Sequence, residues 1–178
     1  MKKLIRIFLL LTALASFSQE QKLLVSRYET VDFVMDKFVG IDKFGFRYFI
    51  KNNVLFKQKD GQSLEYKNLS LGKIAKVDLQ NPLKLLLFYE DFNTIVTLDN
   101  QLNETQRVNF SENSTPIIVS ATGIASQNRF WIYNSLTQQL GLYDYLKNTL
   151  QTLASPFQEN LKYYDSDFNY FQWIDEKG

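Results

Sequence analysis

The stretch LLLFYEDFNTIVTL, residues 85–98, decides the fold. Residues 85–89 predict a strand, residues 90–93 a polar turn and residues 94–98 a return strand. Residues 85–88 are apolar at consecutive positions, so both faces of that strand are predicted to be buried. A short strand with two buried faces indicates a sheet that is packed between two neighbouring sheets.

The same order of strands recurs before and after this stretch. Upstream, strands are predicted at residues 46–50, 54–57 and 64–67, and the Asp60-Gly61 pair between the last two favours a tight hairpin. Residues 105–110 add a strand to the central unit, and downstream strands are predicted at residues 129–133, 140–143 and 149–153. A leading strand is predicted before each unit, at residues 38–41, 74–79 and 117–121.

The spacing of these units predicts a β-propeller. Asp60, Asp99 and Asp144 follow the third strand of successive units and lie 39 and 45 residues apart. Four short strands in every ~40–45 residues are typical of propeller blades. We predict an all-β fold with blades at residues 32–70, 71–112, 113–158 and, incompletely, 159–178. A β-sandwich built from the same hairpins is the alternative.

The last unit supplies only two strands. Residues 161–164 predict its leading strand, residues 170–174 its second strand and residues 175–178 a turn. The prediction is therefore a partial propeller of about three and a half blades, whereas a closed ring typically needs at least four. Because an open sheet edge pairs readily with another strand, we expect either a longer parent chain or a partner that completes the blade. Truncation is the favoured interpretation.

Three runs of sequence resemble exported β-propeller proteins of flavobacteria and other Bacteroidetes. They are NPLKLLLFYE at residues 81–90, LDNQLNE at residues 98–104 and DFNYFQWID at residues 167–175. The resemblance extends over essentially the whole chain after the leader, and it implies an exported propeller whose relatives continue for several further blades. That family has no established catalytic residues, so the resemblance assigns no role to any side chain.

Residues 1–18 have the pattern of a cleavable secretory signal peptide. Basic residues precede an apolar run at residues 7–15, and a small-residue site follows, so cleavage is expected between Ser18 and Gln19. The run is shorter than the ~20 residues that span a bilayer, and the chain has no cysteine to carry a lipid. We therefore expect export to the periplasm or cell surface without a transmembrane or lipid anchor. An uncleaved N-terminal anchor or a buried core helix is the alternative.

The composition excludes several chemistries. After cleavage, 17 basic and 19 acidic residues remain, so no nucleic-acid surface is expected. The chain has no histidine and no cysteine, which excludes Ser-His-Asp and Cys-His catalysis, imidazole-based zinc sites and thiolate ligands. No glycine-rich phosphate-binding motif occurs. We predict no catalytic residue and no cofactor, and we favour a protein that is not an enzyme.

Carboxylates are the remaining candidates for a site. Asp165, Asp167 and Asn169 alternate along the chain and Glu176 follows, a spacing similar to that of a calcium-binding loop. Tyr170 stands where such a loop needs a glycine. A solvated turn is therefore the favoured interpretation, and these four residues are only weak metal candidates.

The two tryptophans lie in apolar runs. Trp131 and Trp173 are each predicted to be core residues of a strand rather than platforms for a sugar ring. In the same way, Phe171 and Ile174 predict that the last strand is a core strand.

Two classes of function fit these observations. The first is a non-enzymatic binding or scaffold propeller of the bacterial cell envelope that contacts envelope proteins, with outer-membrane assembly or secretion as precedents by fold alone. The second is a glycan-binding protein or a carboxylate-dependent carbohydrate-active protein. An incomplete gene product with no function of its own is a third hypothesis.

Overall fold

The structure is a computed structural model that describes residues 34–112 and 115–177. The first sheet contains β1 (Lys37–Ile41), β2 (Arg47–Lys51), β3 (Val54–Lys59) and β4 (Gln62–Tyr66). The second contains β5 (Lys76–Asp78), β6 (Leu85–Tyr89), β7 (Thr94–Leu98) and β8 (Glu104–Asn109), and a 3-10 turn, Phe110–Glu112, follows it. The third contains β9 (Val119–Ala125), β10 (Arg129–Asn134), β11 (Gln139–Asp144) and β12 (Thr149–Thr152). A two-stranded sheet contains β13 (Leu161–Ser166) and β14 (Phe171–Asp175).

Each sheet is an antiparallel meander whose strands pair in chain order. We call the four-stranded sheets blades 1, 2 and 3, and the β13–β14 hairpin the half blade. Every strand predicted from the sequence is present, and its bounds agree with the prediction to within four residues at each end. The predicted all-β architecture of propeller blades is confirmed.

The tight turns of blade 1 follow from residue type. Lys51 pairs with Val54, so Asn52 and Asn53 form a two-residue turn with φ of 51° and 60°. Asp60 and Gly61 form the next turn with φ of 48° and 80°. Two-residue hairpins of type I′ need positive φ at both positions, which asparagine, aspartate and glycine adopt more readily than other residues.

Alternate side chains of β6 pack against different blades. Leu85, Leu87 and Tyr89 belong to the core between blades 1 and 2, which also contains Tyr48 and Leu55. Leu86 and Phe88 belong to the core between blades 2 and 3, together with Ile124, Phe130 and Ile132. A third core lies between blade 3 and the half blade. Sheets that pack in series in this way are blades, and two sheets that faced each other would form a sandwich instead.

A side-chain amide joins each of the first two blades to the next one. Asn53 Nδ2 donates a hydrogen bond to the Gly72 carbonyl (2.8 Å), and Asn53 Oδ1 accepts one from the Ile74 amide (2.9 Å). Asn93 makes the same pair of hydrogen bonds one blade later, at 2.6 and 2.9 Å, with the backbone that leads into β9. We call these two residues the asparagine clamps.

The prediction that β14 is a core strand is wrong. Trp173 is 44% exposed and Ile174 is 48% exposed, whereas Trp131 is buried at 7% as predicted. In blades 1 to 3 the second strand lies between two neighbours of its own sheet, but β14 has only β13 beside it among the described residues. Among the described residues, β14 therefore has no strand at its outer edge, and no sheet covers the face that carries Ile174.

Candidate functional site

The outer edge of β14 carries backbone groups that pair with no described strand. The Asp167 amide donates to the Tyr170 carbonyl at 2.9 Å, which fixes the phase of the β13–β14 ladder. Hydrogen-bonded and non-hydrogen-bonded pairs alternate in an antiparallel ladder. Phe171 and Trp173 therefore occupy non-hydrogen-bonded pairs with β13, and their N–H and C=O groups point to the outer edge.

The inner face of the half blade is fixed to blade 3 by aromatic contacts. The Phe171 ring lies 5.3 Å from the Tyr164 ring and 6.0 Å from the Trp131 ring, centroid to centroid. Trp131 Nε1 donates a hydrogen bond to the Asp167 carbonyl at 2.7 Å. Trp173 stacks on Phe157 at 4.5 Å. These contacts place the hairpin over β9 and β10.

The opposite face of the half blade is open. Tyr163 and Ile174 are cross-strand partners that are 62% and 48% exposed. Asp165 and Gln172 form the next cross-strand pair on this face. Together with Trp173, these four side chains line a shallow depression of about 300 Å³. This face presents apolar and polar groups side by side, as a protein interface does.

A polar hollow lies on blade 3 beyond the half blade. Its volume is about 420 Å³, and its lining residues come from β10, β11, β12 and the adjoining turns: Gln127, Asn128, Arg129, Leu142, Asp144, Leu146, Lys147, Thr149 and Gln151. We call it the Arg129 hollow. Every residue of β7, the third strand of blade 2, is buried, whereas Leu142 and Asp144 of β11 are only half-buried. The outer half of blade 3 is thus less covered than the outer half of blade 2.

Arg129 is held in this hollow by hydrogen bonds to neutral groups. Its Nε donates to the Ser126 carbonyl (3.0 Å) and one terminal nitrogen donates to Gln127 Oε1 (3.1 Å). Asp144 is the cross-strand neighbour of Arg129, but its carboxylate lies 3.6 Å from the Lys147 ammonium instead. In the described part of the chain Arg129 forms no ion pair. Its guanidinium is available to an anionic group.

A second polar cluster joins the innermost strands of three successive sheets. Lys76 of β5 donates from Nζ to the Thr122 carbonyl of β9 (2.8 Å), and its ammonium lies 4.0 Å from the ring centroid of Tyr164 on β13. The Thr122 amide donates to the Tyr164 hydroxyl (3.1 Å). Asp78 Oδ2 accepts a hydrogen bond from the Ile124 amide (2.8 Å). We call these residues the inner cluster.

Burial changes the acid–base properties of the inner cluster. Loss of hydration lowers the pKa of Lys76, although Asp78 and Asp165 oppose this effect. Burial also raises the pKa of Tyr164 to about 12. At neutral pH the tyrosine is therefore a neutral ring beneath a cation, which is the arrangement that a cation–π contact requires.

The four predicted metal candidates have different roles in the structure. Asp167 Oδ1 accepts hydrogen bonds from the amides of Asn169 and Tyr170, each at 2.7 Å, so this carboxylate holds the turn. Asp165 lies on the open face, and Glu176 accepts a hydrogen bond from Asn160 at 3.1 Å. Within residues 34–112 and 115–177, no three acidic side chains form a group that could hold a metal ion. The predicted Ser18–Gln19 cleavage site lies outside the described residues.

The fold and these surfaces define the class: an all-β protein made of three complete β-propeller blades and a half blade. The described residues contain no helix that is long and apolar enough to cross a membrane. Neither a protein-family model nor a curated protein matches the chain.

Two solved structures are similar to the chain at low sequence identity. Selenomethionine-substituted virginiamycin B lyase from Staphylococcus aureus is 13% identical over 67% of this chain and 41% of that chain, with a TM-score of 0.46. A catalytically inactive variant of virginiamycin B lyase from Staphylococcus aureus, with Quinupristin, is 12% identical over 79% of this chain and 62% of that chain, with a TM-score of 0.48. The chain thus spans less than two thirds of the length of each.

Proposed function

We propose that this protein is a non-enzymatic, exported binding or scaffold propeller of the bacterial cell envelope that acts through protein–protein contacts. We propose that it takes part in outer-membrane assembly or in secretion. The observation that carries the proposal is the exposure of aromatic and apolar side chains on the half blade, beside the polar Arg129 hollow of blade 3. The export signal read from residues 1–18 supports the envelope location.

The chemistry of the half blade supports a protein partner. Tyr163, Tyr170 and Ile174 are all at least 48% exposed and lie within one hairpin. Tyrosine and tryptophan are enriched at protein interfaces because one end of each ring is apolar and the other can donate a hydrogen bond.

The test is affinity capture with the tagged full-length protein from envelope extracts after mild crosslinking. We compare the native protein with Ile174→Lys, which places a charge on the open face of the half blade. Leu69→Lys is the matched control, because Leu69 is 73% exposed and lies in the segment that connects β4 of blade 1 to β5 of blade 2. We expect a stable partner that the native and Leu69→Lys proteins capture and Ile174→Lys does not. If no partner is recovered, or if the two variants capture it equally, the proposal fails.

A carbohydrate ligand is the second candidate, and the Arg129 hollow is the observation that favours it. The hollow combines amide, guanidinium, ammonium and carboxylate groups with two leucines, and such groups can hydrogen-bond to the hydroxyls of a sugar. A glycan array with an activity screen tests this function. Binding that Arg129→Gln abolishes supports it, and retention of any carbohydrate-cleaving activity in Asp165→Ala and Asp167→Ala eliminates those two carboxylates as its catalysts.

A further inference from the structure

We propose that this protein binds a small phosphate monoester in a second hollow, which lies at one end of the strands of blade 2, blade 3 and the half blade. The hollow has a volume of about 280 Å³, and it is lined by the connections that precede β6, β10, β12 and β14. Its polar walls include Asn81, Lys84, Ser126, Gln127, Asn128 and Arg129. We call it the Lys84 pocket. The inference goes beyond the proposed function and does not depend on it.

The first observation is the charge of the pocket. Lys84 and Arg129 both line it, whereas no described aspartate or glutamate does. In the ranges that the structure describes, neither cation forms an ion pair. Lys84 instead donates a hydrogen bond to the Tyr145 hydroxyl, and its ammonium lies 4.0 Å from the centroid of that ring. Because two like charges in one pocket repel each other, a ligand with two negative charges complements the pocket best.

The second observation is that the free polar groups of the walls are hydrogen-bond donors. Three side-chain amides already use their oxygen as an acceptor: Asn81 Oδ1 from the Leu83 amide (3.1 Å), Gln127 Oε1 from Arg129 (3.1 Å) and Asn128 Oδ1 from the Tyr145 hydroxyl (2.7 Å). Among the described residues, the NH₂ groups of these amides have no hydrogen-bond partner.

The guanidinium of Arg129 also keeps donors free. Arg129 uses Nε and one terminal nitrogen for hydrogen bonds to Ser126 and Gln127, and its other terminal nitrogen bonds to no described residue. The pocket therefore offers N–H groups to a ligand whose polar atoms are acceptors. A phosphate monoester fits this requirement, since near neutral pH it carries close to two negative charges on three acceptor oxygens.

The third observation is that hydrogen bonds fix the walls to one another. The Ser126 amide donates to the Phe168 carbonyl at 2.9 Å, and the Tyr145 amide donates to the Asn128 carbonyl at 3.4 Å. The turn between β9 and β10 is thus tied to the two turns beside it. Gln127 has φ of 60° in that turn, a conformation that glutamine seldom adopts. Because the donors are held in place, a ligand has little conformational entropy to remove from them.

The size of the pocket and the Phe168 ring indicate a small ligand that is larger than inorganic phosphate. About 280 Å³ is close to the lower limit of small-molecule pockets, about 300 Å³. Phe168 lines the pocket and is 37% exposed, so one side of its ring is accessible. A ring that carries the phosphate can contact this apolar surface while the phosphate meets the cations.

The experiment measures the binding of three probes to the full chain by isothermal titration calorimetry at pH 7.5. Phenyl phosphate carries the dianion, phenyl sulfate has the same shape with one negative charge, and inorganic phosphate lacks the ring. We expect phenyl phosphate to bind about tenfold more tightly than either of the others. Nuclear magnetic resonance gives the location: the side-chain amide signals of Gln127 and Asn128 should shift when phenyl phosphate is added.

Variants assign the binding to the pocket. Lys84→Gln and Arg129→Gln should each weaken phenyl phosphate about tenfold, whereas Arg129→Lys should retain most of the affinity. Phe168→Ala should weaken phenyl phosphate and leave inorganic phosphate unchanged. Lys43→Gln is the matched control, because Lys43 is exposed in the turn between β1 and β2 and does not line the pocket. Thermal melts by circular dichroism confirm folding, and Phe168→Ala keeps the proposal testable if a glutamine variant does not fold.

Four results would overturn the inference. They are the absence of phenyl phosphate binding, equal affinity for phenyl phosphate and phenyl sulfate, equal affinity for phenyl phosphate and inorganic phosphate, and a loss in Lys43→Gln as large as that in Lys84→Gln. None of these results alters the capture of an envelope partner that Ile174→Lys abolishes, because Ile174 does not line the Lys84 pocket. Failure of phosphate binding is therefore distinguishable from failure of the proposed function.

Discussion

Asn93 repeats, one blade later, the two hydrogen bonds of Asn53. The Asn93 amide donates to the Ile117 carbonyl, and its oxygen accepts from the Val119 amide. Both asparagines have positive φ, 60° at Asn53 and 48° at Asn93. One residue type therefore supplies both the turn conformation within a blade and the connection to the next blade. Apolar packing between blades is non-directional, so the clamps add the directional contacts that fix how one blade is placed on the next.

Replacement of Asn93 by alanine should lower the free energy of unfolding by about 2–4 kcal/mol, because two buried backbone groups lose their partners. Asn52→Ala is the matched control, since Asn52 also has positive φ (51°) but is exposed and makes no clamp. Urea denaturation measures both variants. Equal losses in the two variants would assign the effect to the backbone conformation alone and contradict a role for the clamp.

Gly123 should not tolerate a side chain. A β-carbon at this position would lie 2.1 Å from Ser166 Oγ and 3.2 Å from Asp78 Oδ2, so Gly123→Ala should cost about 1–3 kcal/mol of unfolding free energy. Part of the lost stability should be recovered in the Gly123→Ala, Ser166→Ala double variant, because the Ser166 Oγ atom nearest to the new β-carbon is then absent. A double-mutant cycle from thermal or urea melts measures this coupling. Additive losses would show that the Ser166 hydroxyl is not the obstacle.

The inner cluster should make stability depend on alkaline pH. Because burial holds the pKa of Lys76 below its ordinary value of 10.5, the unfolded chain binds more protons than the folded chain between those two values. The Lys76 contribution to the free energy of unfolding therefore rises with pH in that window. Tyr164 acts in the opposite sense from about pH 10 to about pH 12, where its folded pKa lies.

Comparison with Lys76→Met from pH 7.5 to 9 isolates the lysine, because Tyr164 stays largely protonated there in both the folded and the unfolded state. We expect the stability of the native protein relative to Lys76→Met to increase with pH, as measured by urea denaturation at each pH. Lys147→Met is the control, because this lysine side chain is 77% exposed. The difference in unfolding free energy between the native protein and Lys147→Met should stay constant over the same pH range. A difference for Lys76→Met that is flat or falls with pH would contradict the burial of its ammonium.

The two tryptophans should differ in fluorescence. Trp131→Phe leaves Trp173, which is 44% exposed, and Trp173→Phe leaves Trp131, which is 7% exposed. Acrylamide should quench Trp173 several-fold more strongly, and its emission should lie at longer wavelength. Similar quenching of the two variants would mean that the half blade is covered in solution.

The strands could be predicted from the sequence because their signals are local. The apolar run at β6, the alternation at β8 and the Asp60-Gly61 turn each act within a few residues. The exposure of Trp173 was predicted wrongly because a side chain on an apolar strand is covered only where further strands lie beside that strand; Trp173 faces blade 3, but no described strand lies at the outer edge of β14. That condition depends on how many strands surround it, which no local pattern encodes.

The candidate sites were not found from the sequence for a similar reason. Lys76 and Asp78 were overlooked, although two charges that alternate within the apolar run AKVDL are a recognisable sign of a polar inner face. Arg129 begins a strand and carries no motif at all. Its significance comes from the neutral partners around its guanidinium, and these are set by tertiary contacts. The asparagine clamps could be predicted only as turn residues.

The alternation of β6 between two cores limits how such a chain can be lengthened or shortened. A duplicated blade 2 would have to place its Leu85 and Leu87 against Leu86 and Phe88 of the original, where the side chains of blade 3 now fit. Deletion of blade 2 would similarly bring together the faces of blades 1 and 3 that now pack against blade 2, and these two faces do not pack against each other in the structure. Gain or loss of a whole blade in this protein therefore requires simultaneous changes in the side chains on both sides of the new junction.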